Sequence, residues 1–470
     1  MHSIIEIPTS LKQLISADLA YHFQVVPKSM ENGVIDFYVA EGHDQPVLKE
    51  ELALFLGKDI TLTEISKELL EKTLYHSFRK KEPATNVGHA GDVSVEDSFL
   101  NNIIKEAKDI GGSDIHFEIY QNSGRVRIRL DGVLIEKNTI PLDQYYEVLN
   151  KIKIESNLDI TEKRLPQDGR IHFKDFDIRV SIIPTLFGEK AVLRILSRNA
   201  SLLNLSTIGM DERQFPLYLE AIKKENGIVL ISGPTGSGKT TTLYATLKEL
   251  NDTQRNIVTV EDPIEYTLKG INQVQLKENI GLEFATALKA FLRQDPDIIM
   301  LGEIRDAETA KMAIRASLTG HLVLSTIHTN SAIGTISRLV DMGVPAYYIA
   351  ETLNASVAQR LLRKLCGHCK EQTPYDPKDF PSTYELPDHL SHYYKPVGCP
   401  HCYYTGYKGR IAIYELLPIS QDVGRLIKSK PNQIEEYLPI SYETLADKAF
   451  KELQRGTTSV EEVYALLIES

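Results

Sequence analysis

Several residue types and patterns are scarce in this 470-residue chain, which has no tryptophan, four cysteines and a net charge of −11. The acidic balance argues against a protein that coats nucleic acid, although it leaves room for a local basic patch. Apolar runs such as Ile298–Leu301 are far shorter than the roughly 20 residues that a membrane span needs. The first ten residues lack a basic segment followed by an apolar one, so no signal peptide is predicted. We therefore expect a cytoplasmic protein with only peripheral membrane contact.

Two breaks in composition divide the chain. Residues 81–92, KEPATNVGHAGD, are rich in proline, glycine and small polar residues, which indicates a linker. A looser break lies within residues 197–210. A chain of this length has room for about two to four domains. We predict an N-terminal module at 1–81, a linker at 82–92, a second domain at 93–198 and a third domain at 199–470.

Hydrophobic periodicity predicts a different fold class for each of the first two domains. The N-terminal module has a strand pattern at 34–39 and helical patterns near 46–56 and 64–79, which predict a small α/β unit. In the second domain, two segments alternate apolar residues with polar ones, mainly arginines: RVRIRLDG at 125–132 and DIRVSIIPT at 177–185. This alternation indicates antiparallel strands with one open face, in an α+β domain of roughly 100 residues.

In the third domain, apolar strands alternate with amphipathic helices, which predicts a parallel sheet covered on both faces. The strands are predicted at 227–232, 256–262, 297–303 and 321–327. Residues 441–470 predict two final helices, docked as a tail, and a capping box between Ser459 and Glu462 would open the second.

A glycine-rich loop follows the first of these strands. The pattern from Gly233 to Thr240 is a complete P-loop at a strand-to-helix junction, and the alternative is a glycine turn without a ligand. Glycines let backbone N–H groups turn toward an anion, and the following helix directs its positive end at the phosphates. We expect Lys239 to reach the β- and γ-phosphates of ATP and the Thr240 hydroxyl to bind Mg²⁺. The predicted nucleotide-binding residues are Gly233, Pro234, Thr235, Gly236, Ser237, Gly238, Lys239, Thr240 and Thr241.

Two acidic segments end predicted strands downstream of the loop. The strand at 297–303 ends in Glu303, where a P-loop sheet keeps a second group on the Mg²⁺ side. EDPIEY, at 261–266, contains acids of which one could orient the attacking water or accept its proton. Composition alone does not distinguish among them. Glu303 could instead be a solvated residue at a strand end, and the acids of EDPIEY could instead form a turn. His321 and His328 lie seven residues apart and so face opposite sides of a strand, which disfavours a shared metal and favours structural roles.

Four segments in consecutive order carry a resemblance to the secretion ATPase superfamily. They are similar, in this order, to that superfamily's Walker A, Asp box, Walker B and His box: GPTGSGKTTTLY, VTVEDPIEY, LRQDPDIIMLGEIRDAETA and TGHLVLSTIHTNSA. Within it, the chain resembles the GspE/PulE and PilB ATPases of type II secretion and type IV pilus assembly. The resemblance implies a RecA-like P-loop ATPase domain, preceded by a PAS-like α+β domain and a small N-terminal α/β module that docks to partners. It also implies a homo-hexamer, peripheral at the inner membrane through platform proteins, that uses ATP hydrolysis to add pilin-like subunits.

The resemblance further implies roles for individual side chains. Glu265 matches the glutamate that activates water, and Glu303 matches the Walker B glutamate. His321 and His328 match the two His-box histidines near the γ-phosphate. Two arginines match those that the family's middle domain swings over the nucleotide, where they stabilise charge on the γ-phosphoryl group: Arg179 and Arg194. The roles of three further arginines stay unassigned: Arg125, Arg127 and Arg129.

All four cysteines lie in two C-x-x-C pairs of a chain without a secretion signal, which favours metal binding over disulfides. Four thiolates satisfy tetrahedral Zn²⁺ and leave no position for water, so the site would be structural. A redox pair is the alternative, and the 29 residues between the pairs exceed the commonest finger spacing. Assembly ATPases carry a similar tetracysteine insertion, here at 366–415, and retraction ATPases usually lack it. The predicted ligands are Cys366, Cys369, Cys399 and Cys402.

Other classes of function stay open at this point. A RecA-like core can translocate nucleic acid, but the acidic balance and the lack of a basic aromatic surface count against it. A scaffold could bind ATP without turnover, and the presence of both Glu265 and Glu303 speaks against that. Within the family, a pilus retraction ATPase is the alternative to an assembly ATPase.

Overall fold

A computed structural model describes most of the chain. The described residues are 23–31, 33–41, 45–56, 58–78, 98–197, 204–382, 391–431, 433–439 and 441–468, with residue 384 and a few positions before 23. The predicted linker at 82–92 and part of the second predicted break lie outside this set. The described strands form sheets of three, six and seven strands and one two-stranded sheet. Each of the three larger sheets belongs to one of the predicted domains.

The N-terminal unit is a three-stranded sheet with two helices. Strands β1 (Val25–Glu31) and β2 (Val34–Ala40) are antiparallel. β2 is parallel to β3 (Asp59–Ile65), and helix α1 (Gln45–Leu56) is the crossover that such a pair requires. Helix α2 (Lys67–Phe78) follows β3. The small α/β module expected from the sequence is therefore present.

The middle domain is built on a six-stranded antiparallel sheet. Its strands are β4 (Asp114–Ile119), β5 (Gly124–Leu130), β6 (Val133–Ile140), β7 (Gln167–His172), β8 (Phe176–Thr185) and β9 (Gly188–Ser197). Their order is β6-β5-β4-β9-β8-β7, and every neighbouring pair is antiparallel. Helices α3 (Ser98–Asp109) and α4 (Leu142–Glu155) pack against one face of this sheet in a shared hydrophobic core.

Alternation along β5 decides which face of this sheet is polar. Val126 and Ile128 are buried in the core with the two helices, so the arginines between them project from the opposite face. β4 adds acids to that face, because Asp114 lies opposite Arg129 and Glu118 lies opposite Arg125. Residues directly opposite each other in an antiparallel pair share a face. The predicted α+β domain thus has one apolar face and one face rich in arginines and acids.

The third domain contains a seven-stranded sheet and a separate two-stranded one. The strands are β10 (Gly227–Ser232), β11 (Ile257–Glu261), β12 (Asn272–Gln275), β13 (Ile298–Leu301), β14 (Leu322–Ile327), β15 (Leu353–Leu365), β16 (Glu371–Pro374), β17 (His392–Lys395) and β18 (Tyr407–Pro418). The large sheet has the order β12-β11-β13-β14-β10-β15-β18, and only β15 with β18 is antiparallel. β10, β11, β13 and β14 are buried throughout, as expected for parallel strands covered on both faces.

Helices cover this sheet and form a hydrophobic core on each of its faces. They are α5 (Gln214–Ile222), α6 (Lys239–Leu250), α7 (Phe284–Phe291), α8 (Ala307–Leu318), α9 (Gly334–Asp341), α10 (Ala346–Thr352), α11 (Gln421–Ser429), α12 (Leu445–Gln454) and α13 (Val460–Ile468). None of the helices in the described part of the chain combines the length and apolar character that a bilayer crossing requires.

The middle domain contacts the third domain through the turn after β5. Asp131 accepts a hydrogen bond from the backbone N–H of Gly409 at 2.8 Å and lies 3.5 Å from Nε of Arg410. Lys137 on β6 places its ammonium 5.9 Å from the ring centre of Tyr403. These contacts bring the polar face of the middle sheet beside the third domain.

The two final helices are present, but the predicted capping box between Ser459 and Glu462 is wrong. The Glu462 carboxylate instead accepts hydrogen bonds from the backbone N–H of Arg363 at 2.8 Å and from its Nη2 at 2.6 Å. Ser459 Oγ instead lies 2.7 Å from the hydroxyl of Tyr407. Both groups therefore dock α13 onto the sheet, a long-range use that local spacing does not reveal.

We expect Glu462→Gln to destabilise the protein by about 2 kcal/mol, because Arg363 would keep a largely buried guanidinium without its carboxylate. Urea unfolding followed by circular dichroism measures this. The matched control is Arg425→Gln, which removes an exposed pair with Asp422 on α11 and should cost at most about 0.5 kcal/mol. Equal losses in the two variants would contradict a docking role for Glu462.

Candidate nucleotide and metal sites

The P-loop occupies the turn between β10 and α6. Gly233 directly follows β10 with φ 142°, and Gly238 precedes α6 with φ 90°. L side chains rarely adopt these backbone conformations, so the turn requires glycine at both positions. Because α6 begins at Lys239, the first free N–H groups of the helix face the loop. The strand–loop–helix arrangement expected for a phosphate site is therefore present.

Two details of the loop fit a bound phosphate chain. The Oγ atom of Ser237 is buried and has no hydrogen-bond partner in the described part of the chain. The Lys239 ammonium lies inside the loop, where it donates to the carbonyl oxygens of Gly233 at 2.7 Å and Pro234 at 3.0 Å. Burial lowers the pKa of Lys239, while the charge of Glu303 opposes that shift. A phosphate would supply the missing partner for the hydroxyl and a full counter-charge for the ammonium.

Sequence reasoning missed two residues that support the loop from β15. A Cβ atom on Gly233 would lie 2.5 Å from the carbonyl oxygen of Gln359, and one on Gly238 would lie 2.7 Å from its Nε2. The Gln359 side chain also accepts a hydrogen bond from Thr242 in α6 at 2.9 Å. Its neighbour Arg360 approaches the loop as well, and its charge contributes to lowering the pKa of Lys239. No local signal marks these residues, because only the pairing of β10 with β15 brings them to the loop.

Glu303 follows β13 at the same edge of the sheet and contacts an arginine and a histidine. Its carboxylate lies 2.5 Å from Nη2 of Arg305 and 3.3 Å from Nε2 of His328. Burial disfavours its charged form, but the hydrogen bond and charge of Arg305, with those of His328, lower the pKa of Glu303 below its usual value. Glu303 is therefore ionised at neutral pH, as a group on the Mg²⁺ side of the phosphates needs to be.

The two histidines lie at opposite ends of β14. His328 follows Ile327, which pairs with Ser232 at the loop end of β10. His321 precedes the strand, and its carbonyl accepts a hydrogen bond from Gly227 at the start of β10. Seven residues of strand span about 23 Å. The expectation that both histidines lie near the γ-phosphate is therefore wrong for His321 within one chain, and the position of His328 agrees with it.

The acids of the Asp-box segment, residues 261–266, have different surroundings. Glu261 is 3% exposed, and its carboxylate accepts hydrogen bonds from Thr259 at 2.6 Å, from Gln273 at 3.0 Å and from the hydroxyl of Tyr244. All of its acceptor sites are directed into the protein. Glu261 is therefore a structural group that fixes the end of β11, and it has no free oxygen for water.

Glu265 is the acid of this segment that is left for chemistry. Asp262 lies 3.5 Å from Nη2 of Arg305, whereas the half-buried Glu265 carboxylate has no hydrogen-bond or ion-pair partner among the described residues. Its backbone N–H donates to the hydroxyl of Tyr244 at 3.3 Å, which fixes the position of the main chain. The structure thus separates the acids that the sequence left equivalent.

Arg179 and Arg194 lie directly opposite each other on β8 and β9. Nε of Arg194 donates to Oδ1 of Asp114 at 2.8 Å, and Arg179 has no ion-pair partner in the described part of the chain. The hydrogen bond to Asp114 raises the pKa of Arg194, and the charge of Glu265 adds to this effect. Arg194 therefore lies near enough to Glu265, across the boundary between the two domains, for the two charges to interact.

The three arginines without an assigned role bind acids of β4. Arg125 and Arg127 lie 3.1 and 2.8 Å from Glu118, and Arg129 lies 3.6 Å from Asp114. Burial opposes ionisation of Glu118, but Arg127, Lys190 and Arg125 lower the pKa of Glu118 to about 2. Arg125 and Arg127 are thus held by an acid of their own sheet, unlike Arg179.

The four cysteine sulfurs converge at one point. They all lie within 4.8 Å of one another, and Cys366–Cys399 and Cys369–Cys402 are separated by 3.9 and 3.8 Å. A tetrahedron with Zn–S bonds of about 2.3 Å has edges of about 3.8 Å, so the donor set fits Zn²⁺. The imidazole rings of the two histidines inside the C-x-x-C pairs stack on each other at 4.2 Å and are not part of this sulfur cluster.

A parallel sheet whose first loop can hold a triphosphate, with acids after the neighbouring strands, defines a P-loop nucleotide-binding protein with a RecA-like core. The chain belongs to the family described as type II/IV secretion system protein, which matches residues 89–465.

Two relatives show how closely the chain resembles that family. The type IV pilus assembly ATPase PilB of Pseudomonas aeruginosa is 45% identical over 382 residues, which cover 78% of this chain. The type II secretion system protein E of Pectobacterium carotovorum is 46% identical over 371 residues, which cover 78% of this chain and 74% of that protein. The chain spans 66% of the Pseudomonas protein, just under two thirds of its length.

A solved structure supports the fold. The X-ray structure of the Legionella pneumophila ATPase DotB aligns with a TM-score of 0.61 and 22% identity, and it covers 80% of this chain and 98% of that one.

We expect the purified protein to contain about one zinc ion per chain, because its four thiols form a closed tetrahedral site. Metal analysis of wild type and of Cys399→Ser measures this, and the variant should lose most of its zinc. The matched control is His401→Ala, in the same C-x-x-C segment, which should keep its zinc. Wild-type protein without zinc, or equal loss in both variants, would contradict the site.

Proposed function

We propose that this chain is an ATP-hydrolysing motor, active as a homo-hexamer, that powers assembly of pilin-like subunits in type II secretion or type IV pilus extension. The observation that carries the proposal is the proximity of Arg194, from the middle domain, to Glu265 of the third domain, whose charge contributes to raising the pKa of that arginine. Two rigid units thus share one site. The two relatives are a type IV pilus assembly ATPase and a type II secretion system protein, which supports the assignment of this chain to one of these two machines.

Each side chain of the site has a role in hydrolysis. The loop N–H groups and Lys239 bind the phosphates, and Thr240 would hold Mg²⁺, which neutralises charge on the β- and γ-phosphates. Glu265 has the free carboxylate needed to orient water and accept its proton. Arg179 and Arg194 would stabilise negative charge that develops on the γ-phosphoryl oxygens.

The shared site explains how hydrolysis becomes movement. When the γ-phosphate leaves, the arginines of the middle domain lose the anion that holds them against the third domain. The two units can then move about their contact at Asp131, which is small and polar. A ring follows if the interfaces between copies are heterologous and close. We place the ring in the cytoplasm at the inner membrane, docked through the module at 1–81 to platform proteins.

The tetracysteine insertion favours an assembly ATPase over a retraction ATPase, because retraction members of the family usually lack it. The four cysteine sulfurs lie close enough together to bind one metal ion, as this insertion would require. Nucleic-acid translocation is disfavoured by the net charge of −11 and by the pairing of Arg125, Arg127 and Arg129 within their own sheet.

We expect Lys239→Ala to abolish ATP hydrolysis, and Glu265→Gln to lower kcat by roughly 100-fold or more with a smaller change in nucleotide affinity. Phosphate release by the purified ring measures kcat, and a fluorescent nucleotide analogue measures binding. Glu308→Gln is the matched control, because Glu308 is an exposed acid on α8 whose one ion-pair partner among the described residues is Lys289. Full activity of either Lys239→Ala or Glu265→Gln would contradict the assigned roles.

In the source cell, deletion of the gene should remove surface filaments or secreted proteins. Wild-type protein should restore them and Lys239→Ala should not. Electron microscopy of the cell surface and analysis of the culture medium distinguish the two machines. Filaments that accumulate in the deletion strain would instead identify a retraction ATPase.

A further inference from the structure

Asp114 is a buried acid that the mechanism above does not use. It is the first residue of β4 and is 5% exposed. Its Oδ1 accepts the 2.8 Å hydrogen bond from Nε of Arg194, while its Oδ2 accepts one from Oγ of Ser113 at 2.8 Å and lies 3.6 Å from Nε of Arg129. Burial opposes its charge, but the hydrogen bonds and charges of these neighbours lower the pKa of Asp114. An ionised carboxylate with both oxygens engaged is a fixed anchor.

The contact with Asp114 uses only one of the three nitrogens of Arg194. The Arg194 side chain is 58% exposed, and its two terminal NH₂ groups have no hydrogen-bond acceptor among the described residues. A guanidinium group carries five N–H donors in a rigid fork. Arg194 can therefore bind Asp114 through Nε and a phosphate oxygen through its NH₂ groups at the same time.

The surroundings of Arg194 would otherwise move it away from that position. Arg179 lies directly opposite on β8 and repels it, and Glu265 attracts it from the other domain. A direct ion pair with Glu265 would stabilise the charged form of that carboxylate and make it a weaker base. The titratable and charged groups around Arg194, Asp114 and Glu265 come from β4, β5, β8, α6 and the Asp-box segment: Asp114, His116, Arg129, Arg179, Tyr244 and Tyr266.

We propose that Asp114 is a positioning residue, which holds Arg194 through Nε so that its NH₂ groups point to the γ-phosphate and stay away from Glu265. This inference rests on the proposed function, in which Arg194 stabilises the γ-phosphoryl group and Glu265 activates water. Asp114 itself contacts neither nucleotide nor water. It acts only through the orientation and the pairing of Arg194.

We expect Asp114→Asn to lower kcat for ATP hydrolysis on the order of 10- to 100-fold, with a change in KM of about threefold or less. The low-pH limb of the kcat profile should move to lower pH, because the released Arg194 can pair with Glu265 and favour its ionised form. In a background with Arg194→Gln, the same substitution should have no further effect, since Asp114 acts through that arginine.

Two further variants separate this role from a purely structural one. Glu118→Gln is the matched control, because Glu118 lies four residues along the same strand, is equally buried and binds other cations. It should leave the pH profile in place and kcat within about threefold. Arg194→Lys keeps the charge but cannot bind two anions through separate nitrogens, so its kcat should fall nearly as far as that of Arg194→Gln. This variant tests whether Arg194 must bind Asp114 and a phosphate oxygen at the same time, and it leaves the buried acid unchanged.

Wild-type kcat in Asp114→Asn, a further loss in the double variant, or full activity of Arg194→Lys would each overturn the inference. If Arg194→Gln is as active as wild type, both this inference and the arginine role in the proposed function fail. If Arg194→Gln is impaired and Asp114→Asn is not, only the positioning role fails. Thermal unfolding of each variant identifies a loss of activity that comes from misfolding. If Asp114→Asn misfolds, the activity of Arg194→Lys decides whether the inference holds.

Discussion

The parallel register of the large sheet is the constraint on which the rest of the site depends. The carboxyl ends of parallel strands lie at one edge, so the P-loop after β10, Glu303 after β13 and His328 after β14 meet although the chain between them is nearly a hundred residues long. The same register places His321 at the far edge, about 23 Å away along the strand. It also brings Gln359 of β15 under the loop, where close contact leaves room only for glycine. One pairing pattern therefore decides both which residues join the site and which are left out.

A second constraint comes from the middle sheet, where cations and acids share one face. Seven positions on this face carry arginine or lysine: Arg125, Arg127, Arg129, Arg170, Arg179, Lys190 and Arg194. The acids of β4 bind some of these side chains and do not contact the others. Glu118 binds Arg125, Arg127 and Lys190. Asp114 binds Arg194 and lies near Arg129, while Arg179 remains without an acid in the described residues. Arg179 and the terminal NH₂ groups of Arg194 are thus the groups on this face that the proposed function pairs with a triphosphate.

The sequence predicted the three-sheet architecture and the P-loop because both depend on local patterns. Alternation in RVRIRLDG, glycine spacing and apolar strands are all written in a few adjacent residues. The features that it could not predict depend on distant pairings. EDPIEY does not show that Tyr244 and Gln273 enclose Glu261, nor that Glu462 leaves its capping position for Arg363. Family resemblance named Glu265, and the structure adds the physical reason, since Glu261 has no oxygen left for water.

These two constraints together explain why the nucleotide can join the two domains. The edge of the large sheet is acidic, with Glu265 and Glu303, and the opposing face of the middle sheet is basic. Direct contact would pair Glu265 with Arg194 and remove both from catalysis. The hydrogen bond from Arg194 to Asp114 keeps that arginine on its own sheet, and Arg305 and His328 engage Glu303 on the other side. The surfaces therefore stay separate until an anion lies between them. Under the proposed function, a triphosphate would bind both surfaces and loss of its γ-phosphate would remove the attraction, so the contact between the domains would depend on the state of the nucleotide.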